Sequence, residues 1–498
     1  MSASKRCAPH HSPDAAPALN PTAKAIPSSC VQAIKDLLGP QAWLESGQDR
    51  APFEVDFRSI HHGQTPLVVL PGSTEQVARL VRYCAEQQIG IVPQGGNTSY
   101  CGGATPRPGN TEIVMSLRRM SRIRSLDALN DSMTADAGCV LETLQEAAAS
   151  AGRLLPMSLG SEGSCTLGGV ISTNAGGTAV LRYGVMRELV LGLEVVLPDG
   201  RVLDQLRALR KDNTGYDVKQ LFIGAEGTLG IVTAACVKLF PRPAGTVTAM
   251  IALASPAAAL ALLAELKDRL GTAVTTFEIM PRVAVDLVCR HIKGTRDPFG
   301  AAHPWYVLAE ISLPQADSDL AGRFESALAD AIAGGRTIDA VSATSDAQRE
   351  ALWRLREAIP EAQRHEGAGL KHDISVEPQR LPKFIEEGGA LLARIIPDAR
   401  LVAYGHLGDG NLHFNLTVGG AGDALPAASG QVQRAVHDLV AAYGGSISAE
   451  HGIGQSKVAE LQRYEDPVAL ALMHSIKRVI DPRGIMNPGK VLDPGQAR

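Results

Sequence analysis

One short glycine-dense segment constrains this chain more than any other feature. Residues 160–184 read GSEGSCTLGGVISTNAGGTAVLRYG, with seven glycines. Backbone with so few side chains lets amide N–H groups converge on an anion, most often a pyrophosphate. The alternative is a set of tight turns in a β-rich domain. A second loop, Gln94-Gly95-Gly96-Asn97-Thr98, follows a predicted strand at 89–93 and favours the cofactor site.

The usual nucleotide-binding fingerprints are missing from the sequence. No G-x-G-x-x-G occurs, so a Rossmann dinucleotide site is unsupported. Residues 484–490 match the spacing of a P-loop, but Val491 replaces the required Ser/Thr and Pro488 lies inside the loop. A P-loop is therefore rejected, and a Rossmann site has no support in the sequence.

Composition indicates a globular protein that does not bind nucleic acid. Lys+Arg (48) and Asp+Glu (52) nearly cancel, leaving a net charge of −4 without a basic excess. The eight cysteines form no C-x-x-C pair, and no secretory signal or uninterrupted apolar span is present. We therefore expect reduced thiols, a cytoplasmic location and no transmembrane segment. A mitochondrial transit peptide is the alternative, disfavoured by Asp14 and by the scarcity of arginine near the N-terminus.

Periodicity predicts an α+β chain in four parts. We expect a disordered tail at 1–30, a cofactor domain at 31–243, a substrate domain at 244–445 and a C-terminal segment at 446–498 that completes the active site. In the substrate domain, strand-like runs at 247–253, 305–312, 401–404 and 412–417 are separated by helical patterns. These patterns lie at 256–270, 318–334, 346–366 and 430–443. They favour one sheet covered by helices.

A histidine-rich motif forms the second constellation. His406 and His413 flank the turn sequence Gly408-Asp409-Gly410-Asn411, which would bring both imidazoles together, and Glu450-His451-Gly452 follows in another glycine-rich turn. Two imidazoles and a carboxylate with an open position suit a catalytic divalent metal, zinc first. A hydrogen-bonded histidine pair near a surface turn is the alternative reading of the spacing.

The glycine loops resemble those of the FAD-linked oxidases of the vanillyl-alcohol oxidase/p-cresol methylhydroxylase type. The resemblance covers nearly the whole chain after residue 50. It implies a two-subdomain FAD-binding domain and an α+β substrate domain with one mainly antiparallel sheet. It also implies FAD contacts at Gln94, Gly95, Gly96, Asn97, Thr98, Pro156, Ser158, Leu159, Gly160, Gly168, Gly169, Asn174, Gly176, Gly177, Tyr183, Gly184, Glu226, Gly227, Gly230, Ile231, Val232 and Asn487. Some relatives attach FAD to a histidine of the first loop; here Asn97 follows the glycine pair, so we expect non-covalent FAD.

The pattern H-x-G-D-G-N-x-H-x-N with a later E-H-G-x-G resembles the D-2-hydroxyglutarate and D-lactate dehydrogenase branch of this family. The resemblance implies metal ligands at His406, His413 and Glu450. It further implies substrate contacts at Arg356, Lys371, Asn415 and His451. This chain departs from D-2-hydroxyglutarate dehydrogenases at Pro360, where they carry a threonine, and one hydroxyl donor is thereby lost.

These features together predict an FAD-dependent dehydrogenase that oxidises a D-2-hydroxy acid, with D-2-hydroxyglutarate as the first candidate and His451 as the base. D-lactate or glycolate oxidation is the nearest alternative, and a non-catalytic flavin-binding subunit is the alternative from another class. An electron-transfer flavoprotein or a quinone is expected as electron acceptor, and a homodimer is the expected assembly.

Overall fold

The N-terminal domain is built from short strands, because its buried apolar runs are interrupted every few residues by turn residues. The computed structural model describes residues 24–313, 315, 318–418 and 427–493. In the N-terminal domain the elements are α1 (Ser28–Leu38), β1 (Trp43–Leu44), α2 (Gly47–Arg50), β2 (Val68–Val69), α3 (Thr74–Gln87), β3 (Gly90–Gln94), β4 (Glu112–Ser116), β5 (Ile123–Asp127), β6 (Ser132–Asp136), α4 (Leu141–Ser150), β7 (Arg153–Leu154), α5 (Leu167–Ser172), α6 (Val180–Tyr183), α7 (Met186–Leu189), β8 (Val190–Val196), β9 (Val202–Gln205), β10 (Ile231–Lys238) and β11 (Phe240–Pro241).

Most of these strands form two sheets that share an apolar core, and β7 pairs with β11 in a separate two-stranded sheet. The first has the order β1-β2-β4-β3 and is parallel at β2, β4 and β3; the second is antiparallel with the order β5-β6-β10-β8-β9. Side chains from both sheets and from α3 and α4 belong to a single buried cluster. Such a pair of subdomains is the arrangement that the family resemblance implied.

Two helix beginnings illustrate how local sequence sets these elements. The Ser73 hydroxyl caps α3 by accepting the N–H of Gln76, and the Gln76 side chain accepts the N–H of Gly72, the residue before the N-cap. Helix α1 begins at Ser28, inside the segment predicted to be a disordered tail, because Val31, Ile34 and Leu38 pack into the core. That prediction is wrong for residues 28–30, and residues 1–23 lie outside the described part of the chain.

The C-terminal domain is organised around one eight-stranded antiparallel sheet. Its path is β15-β12-β14-β13-β18-β19-β16, and β17 also pairs with β19. The elements are β12 (Gly245–Leu253), α8 (Pro256–Leu270), β13 (Val274–Pro281), α9 (Arg282–His291), β14 (Trp305–Leu313), α10 (Ser318–Ala333), β15 (Asp339–Ser342), α11 (Asp346–Glu357), α12 (Ile359–Arg364), β16 (Gly369–Leu370), β17 (Asp373–Ser375), α13 (Leu381–Ile395), β18 (Ala399–His406), β19 (Asn411–Val418), α14 (Ser429–Ala442), α15 (Val458–Tyr464) and α16 (Pro467–Ile480). Short 3-10 helices lie at Ala51–Phe53, Val218–Leu221, Gly271–Ala273 and Pro378–Arg380.

The long helix predicted at 346–366 is two helices. The break falls at Ala358, two residues before Pro360, which lies in the first turn of α12. Proline has no N–H to donate and its ring clashes with the preceding turn, so a continuous helix through this position is unfavourable.

The C-terminal segment returns to the N-terminal domain. Ile91 in β3 donates its N–H to Ile485, and Asn487 donates its N–H back to Ile91. Residues 485–487 therefore extend the edge of the first sheet.

No helix in the described ranges is long and apolar enough to cross a bilayer.

Candidate active site

The two glycine loops pack directly against each other. A Cβ on Gly95 would lie 2.3 Å from Oγ1 of Thr166, and one on Gly96 would lie 1.9 Å from the carbonyl oxygen of Ser164. The overlap at Gly96 is with backbone, so glycine is required there, whereas a side chain at 95 would force the Thr166 hydroxyl to move. The structure thus joins the loop at 94–98 to the segment at 160–184.

This junction offers unused donors. Among the described residues, none accepts the backbone N–H of Gly96, Asn97 or Thr98, and Oγ1 of Thr166 is buried without a hydrogen-bond partner. Asn97 has a φ of 53° and anchors the loop by donating from Nδ2 to the carbonyl of Val55 at 2.8 Å. Consecutive free amides beside an unpaired hydroxyl fit an anionic cofactor such as the pyrophosphate of FAD.

Other predicted FAD contacts surround the loops or support the fold. Gly177 approaches the carbonyl of Ser158 so closely that a Cβ there would lie 2.6 Å from it. Asn487 donates from Nδ2 to the carbonyls of Gly103 (2.9 Å) and Glu226 (2.7 Å). The Gln94 side chain donates to two backbone carbonyls. The others lie nearby along the same segments: Pro156, Leu159, Gly160, Gly168, Gly169, Asn174, Gly176 and Gly184 around the second loop, Tyr183 packed on Phe240, and Gly227, Gly230, Ile231 and Val232 at the entry to β10.

The three predicted metal ligands converge. Strands β18 and β19 form a hairpin that ends with His406 on one arm and carries His413 on the other, and Glu450 reaches them from the C-terminal segment. One ligand atom from each of the three lies within 4.8 Å of the other two, and Nε2 of His406 is 3.6 Å from Oε1 of Glu450. Gly410 makes the tight turn possible: its φ is 86°, and a Cβ would lie 2.0 Å from the carbonyl of Val376.

A second triad, Asp373 with Glu450 and His451, meets the same distance criterion. The Asp373 carboxylate is already engaged, however. Oδ2 accepts the N–H groups of Glu450 (2.8 Å) and His451 (2.9 Å), and Oδ1 accepts from Nδ2 of Asn411 (2.9 Å). Asp373 is therefore better suited to holding the Glu450-His451 turn than to binding an ion, and the donor set of His406, His413 and Glu450 fits a catalytic metal.

Glu278 orients the first triad from β13. Its carboxylate accepts from Nδ1 of His406 at 2.5 Å and from Nε of Arg356 at 2.6 Å, with the side chain almost completely buried. With Nδ1 committed, Nε2 of His406 is left facing Glu450. Burial alone would raise the pKa of Glu278, but His406 and Arg356 lower it to about 2.

The three side chains of the triad differ in their electrostatics. Burial, with a contribution from Arg356, lowers the pKa of His413 to about 3, so this imidazole is neutral and free to coordinate. Burial raises the pKa of Glu450 to about 7 against the attraction of His406. The charges of Glu278 and Glu450 outweigh burial and raise the pKa of His406 to about 9. A metal would relieve the crowding of acidic groups here.

The predicted substrate contacts line this centre at different depths. The His451 ring lies 6.2 Å from that of His413, and burial lowers its pKa. Arg356 is buried with its guanidinium 4.8 Å from the Tyr404 ring, whereas Lys371 is exposed between β16 and β17. Asn415 is buried and donates from Nδ2 to Gln363 at 3.0 Å.

Sequence reasoning missed Glu278 and Asp373 as parts of the site. Glu278 lies in the apolar run VTTFEIMP, and a lone acid in such a strand is a signal, because a buried carboxylate needs a partner. Asp373 follows Lys371 by two residues, and only the fold shows that it reaches the Glu450-His451 turn.

Comparison with known proteins identifies the family. Residues 242–491 match the family model of the C-terminal domain of FAD linked oxidases, and residues 65–205 match an FAD binding domain. This chain belongs to the FAD-linked oxidase family. Within the family, it is 40% identical over 456 residues to D-2-hydroxyglutarate dehydrogenase of Bos taurus, covering 91% of this chain and 81% of that protein. A putative D-lactate dehydrogenase of Schizosaccharomyces pombe is 35% identical over 479 residues, covering 92% and 89%.

The fold of this FAD-linked oxidase is that of p-cresol methylhydroxylase. A crystal structure of that enzyme superposes with a TM-score of 0.74 at 16% identity, covering 94% of this chain and 97% of the other. The predicted fold class is confirmed.

The predicted cytoplasmic location is wrong, because the relatives from cattle and fission yeast are both named as mitochondrial proteins. The cysteine pattern indicates a reducing compartment but does not distinguish between two of them.

Proposed function

We propose that this FAD-linked oxidase oxidises a D-2-hydroxy acid to the 2-oxo acid, with D-2-hydroxyglutarate as its first candidate substrate. The observation that carries the proposal is the meeting of His406, His413 and Glu450 beside His451 and the buried Arg356. An open metal position, an imidazole and a guanidinium suit a hydroxyl group adjacent to a carboxylate. The names of the relatives from cattle and fission yeast belong to this same substrate class.

Two cofactors complete the proposed site. The free amides of Gly96, Asn97 and Thr98 would hold the pyrophosphate of a non-covalent FAD, which when bound supplies the two-electron acceptor. A divalent metal at the triad, zinc first, would supply Lewis acidity that lowers the pKa of a coordinated hydroxyl.

His451 is the proposed base. Its Nδ1 lies 3.6 Å from Oδ2 of Asp373, so Nε2 is the nitrogen left to take the substrate hydroxyl proton. Burial lowers the pKa of His451 and keeps the ring neutral before the proton moves. Asp373 then stabilises the imidazolium, because its own pKa is held low by His451 and His413 in spite of burial. The Tyr100 ring, 4.6 Å away, restricts the imidazole from the other side.

Positive and polar groups would orient the substrate. Arg356 donates a hydrogen bond from Nε to Glu278, and no described residue accepts from its two terminal nitrogens. These terminal nitrogens are therefore suited to binding a carboxylate of the substrate. Lys371 and Asn415 are proposed as the further contacts.

Oxidation of D-lactate or glycolate is the second candidate. Pro360 supplies no hydroxyl at a position where D-2-hydroxyglutarate dehydrogenases carry threonine, and the fission-yeast relative is named for D-lactate.

An electron-transfer flavoprotein or a quinone is the proposed electron acceptor. Mixing the substrate-reduced protein with each acceptor shows which of the two it reduces. A homodimer is the proposed assembly, to be checked by light scattering.

An anaerobic titration of the purified protein tests the function. D-2-hydroxyglutarate should bleach the flavin absorbance, the L-enantiomer should not, and prior chelation should prevent bleaching while the flavin stays bound. His413→Ala should behave like the chelated protein, and His365→Ala, an exposed histidine on the outer surface, should behave like the wild type. If no 2-hydroxy acid bleaches the flavin, the chain is a non-catalytic flavin-binding subunit. A fully active His413→Ala variant would refute the metal site.

A further inference from the structure

The loop at 56–61 is fixed in place beside the proposed active site. The buried Asp56 carboxylate accepts the N–H groups of Arg58 (3.2 Å), Ile60 (2.7 Å) and His61 (2.5 Å). Nε2 of His61 in turn lies 2.7 Å from Oγ of Ser456, in the segment that follows the Glu450-His451 turn. Hydrogen bonds therefore fix the loop internally and also join it to the segment that carries the Glu450-His451 turn. Its exposed side chains are held in a defined position.

Arg58 is the exposed side chain that faces the site. Its guanidinium carbon lies 5.7 Å from the centre of the Tyr100 ring, which lies 4.6 Å from that of His451. Arg58 also lies close enough to Lys371 for its charge to be, after burial, the next cause that lowers the pKa of that lysine. Arg58 therefore lies near Lys371 and next to the Tyr100 ring that packs on His451.

The positive charges near Lys371 have no protein partner. Within the described ranges, no carboxylate forms an ion pair with Arg58, Lys371 or their neighbour Arg364. Asp56 is close in sequence, but it is occupied by the three N–H groups of its own loop. Cations gathered without an anion repel one another, and a bound anion removes that repulsion. The inner guanidinium of Arg356 already suits the carboxylate next to the reacting carbon, so the outer cations call for a second anionic group.

We propose that Arg58, with Lys371, binds the distal carboxylate of a dicarboxylic D-2-hydroxy acid and so determines specificity for dicarboxylates over monocarboxylates. The inference rests on the proposed function and adds a residue to it. Arg58 does not touch the reacting atoms; it selects the substrate by the charge at its far end. An exposed arginine does this at modest cost to folding, because no buried charge is created.

Substrate pairs of matched chemistry test the proposal. In Arg58→Gln, kcat/KM for D-2-hydroxyglutarate should fall about tenfold, the size of one charge-assisted hydrogen bond, mainly through KM. Turnover of D-lactate should change less than about twofold, since it lacks the second carboxylate. Arg58→Lys should recover most of the loss, and Arg478→Gln, an exposed arginine on α16, serves as the matched control. The difference between wild type and Arg58→Gln should shrink at high salt because the site is exposed.

Binding of unreactive acids separates this inference from the proposed function. Calorimetry with glutarate and butyrate measures the distal-carboxylate contact without turnover. Weaker glutarate binding by Arg58→Gln, with butyrate binding unchanged, supports the inference even where no hydroxy acid bleaches the wild-type flavin. Equal losses for dicarboxylate and monocarboxylate, or no loss for either, would overturn it.

Discussion

Replacing Glu278 with glutamine should weaken both the fold and the proposed metal site. The carboxylate lies in the middle of β13 and is 0% exposed, with two charge-assisted hydrogen bonds, one to Nδ1 of His406 and one to Nε of Arg356. Glutamine has the same shape but only one acceptor oxygen. Its amide nitrogen therefore faces either the arginine, which can only donate, or the histidine, which must then change its tautomer to accept.

The magnitude follows from that lost bond. A hydrogen bond to a charged group contributes about 1.5–3 kcal/mol, and breaking a buried ion pair costs about 3–5 kcal/mol. Since one bond of the two survives, we expect a loss of about 2–3 kcal/mol in the free energy of unfolding. Metal affinity should fall about 10–100-fold, the usual effect of removing a group that orients a metal-binding histidine.

The pH dependence has a definite sign. The pKa of Glu278 is about 2 in the folded chain against an ordinary value of 4.5, so its contribution is complete above about pH 4.5 and is lost as the pH falls towards 2. In metal-free protein, the difference in stability between wild type and Glu278→Gln should therefore be constant near pH 6 and shrink below pH 4.5.

Two assays and one matched variant check this prediction. Urea unfolding of the metal-free protein measures stability, and competition with a chromogenic chelator measures metal affinity. Glu310→Gln in the neighbouring strand β14 is the control, because Glu310 also accepts from an arginine, Arg349, but has no contact with the triad. It should lose similar stability and keep its metal affinity. Wild-type metal affinity in Glu278→Gln, or equal metal loss in both variants, would refute the proposed role.

Three further predictions concern the rest of the site. Asp373→Asn should cost about 1–3 kcal/mol in unfolding free energy and weaken metal binding about tenfold, because one of its accepted bonds is lost; unchanged chelator competition would contradict this. Gly410→Ala should prevent the hairpin from closing, since its Cβ would overlap the carbonyl of Val376, whereas Gly444→Ala, also at positive φ but with nothing within 4 Å, should cost only about 1–2 kcal/mol of backbone strain. Equal melting temperatures for the two glycine variants would show that the overlap relaxes freely. Acid precipitation should release the flavin into solution, and flavin retained in the pellet would contradict non-covalent binding.

The sequence predicted those parts of the site that depend on residues close together along the chain. The sequence assigned both glycine runs to one anion site, and the structure packs Gly95 and Gly96 against the second run. His406 and His413 could be paired because a turn sequence separates them by a fixed, short distance along the chain. In both cases the relevant spacing is a property of a few neighbouring residues.

The supporting residues could not be predicted because their partners are distant in sequence. Glu278 is paired with His406 only because β13 and β18 are adjacent, with Glu278 directly opposite His406 in the ladder. Asp373 reaches the Glu450-His451 turn across 77 residues. Strand order and register depend on the whole sheet, and strand β13 itself was not predicted. The break at Pro360 was visible in the sequence as a proline, but the helical pattern on both sides obscured it.

The position of the Glu450-His451 turn connects the two proposed cofactor sites physically. From the substrate side, Asp373 accepts the N–H groups of Glu450 and His451. From the FAD side, the buried carboxylate of Glu226 accepts the N–H groups of Ile453 (2.7 Å) and Gly454 (2.9 Å). Glycine is needed at 454, because its φ is 52° and a Cβ would lie 2.1 Å from the carbonyl of Cys101. Carboxylates from both domains therefore hold this turn, one on the N–H groups of Glu450 and His451 and the other on those of Ile453 and Gly454. The hydrogen bonds that position the proposed base thus also join the proposed metal triad to the N-terminal domain.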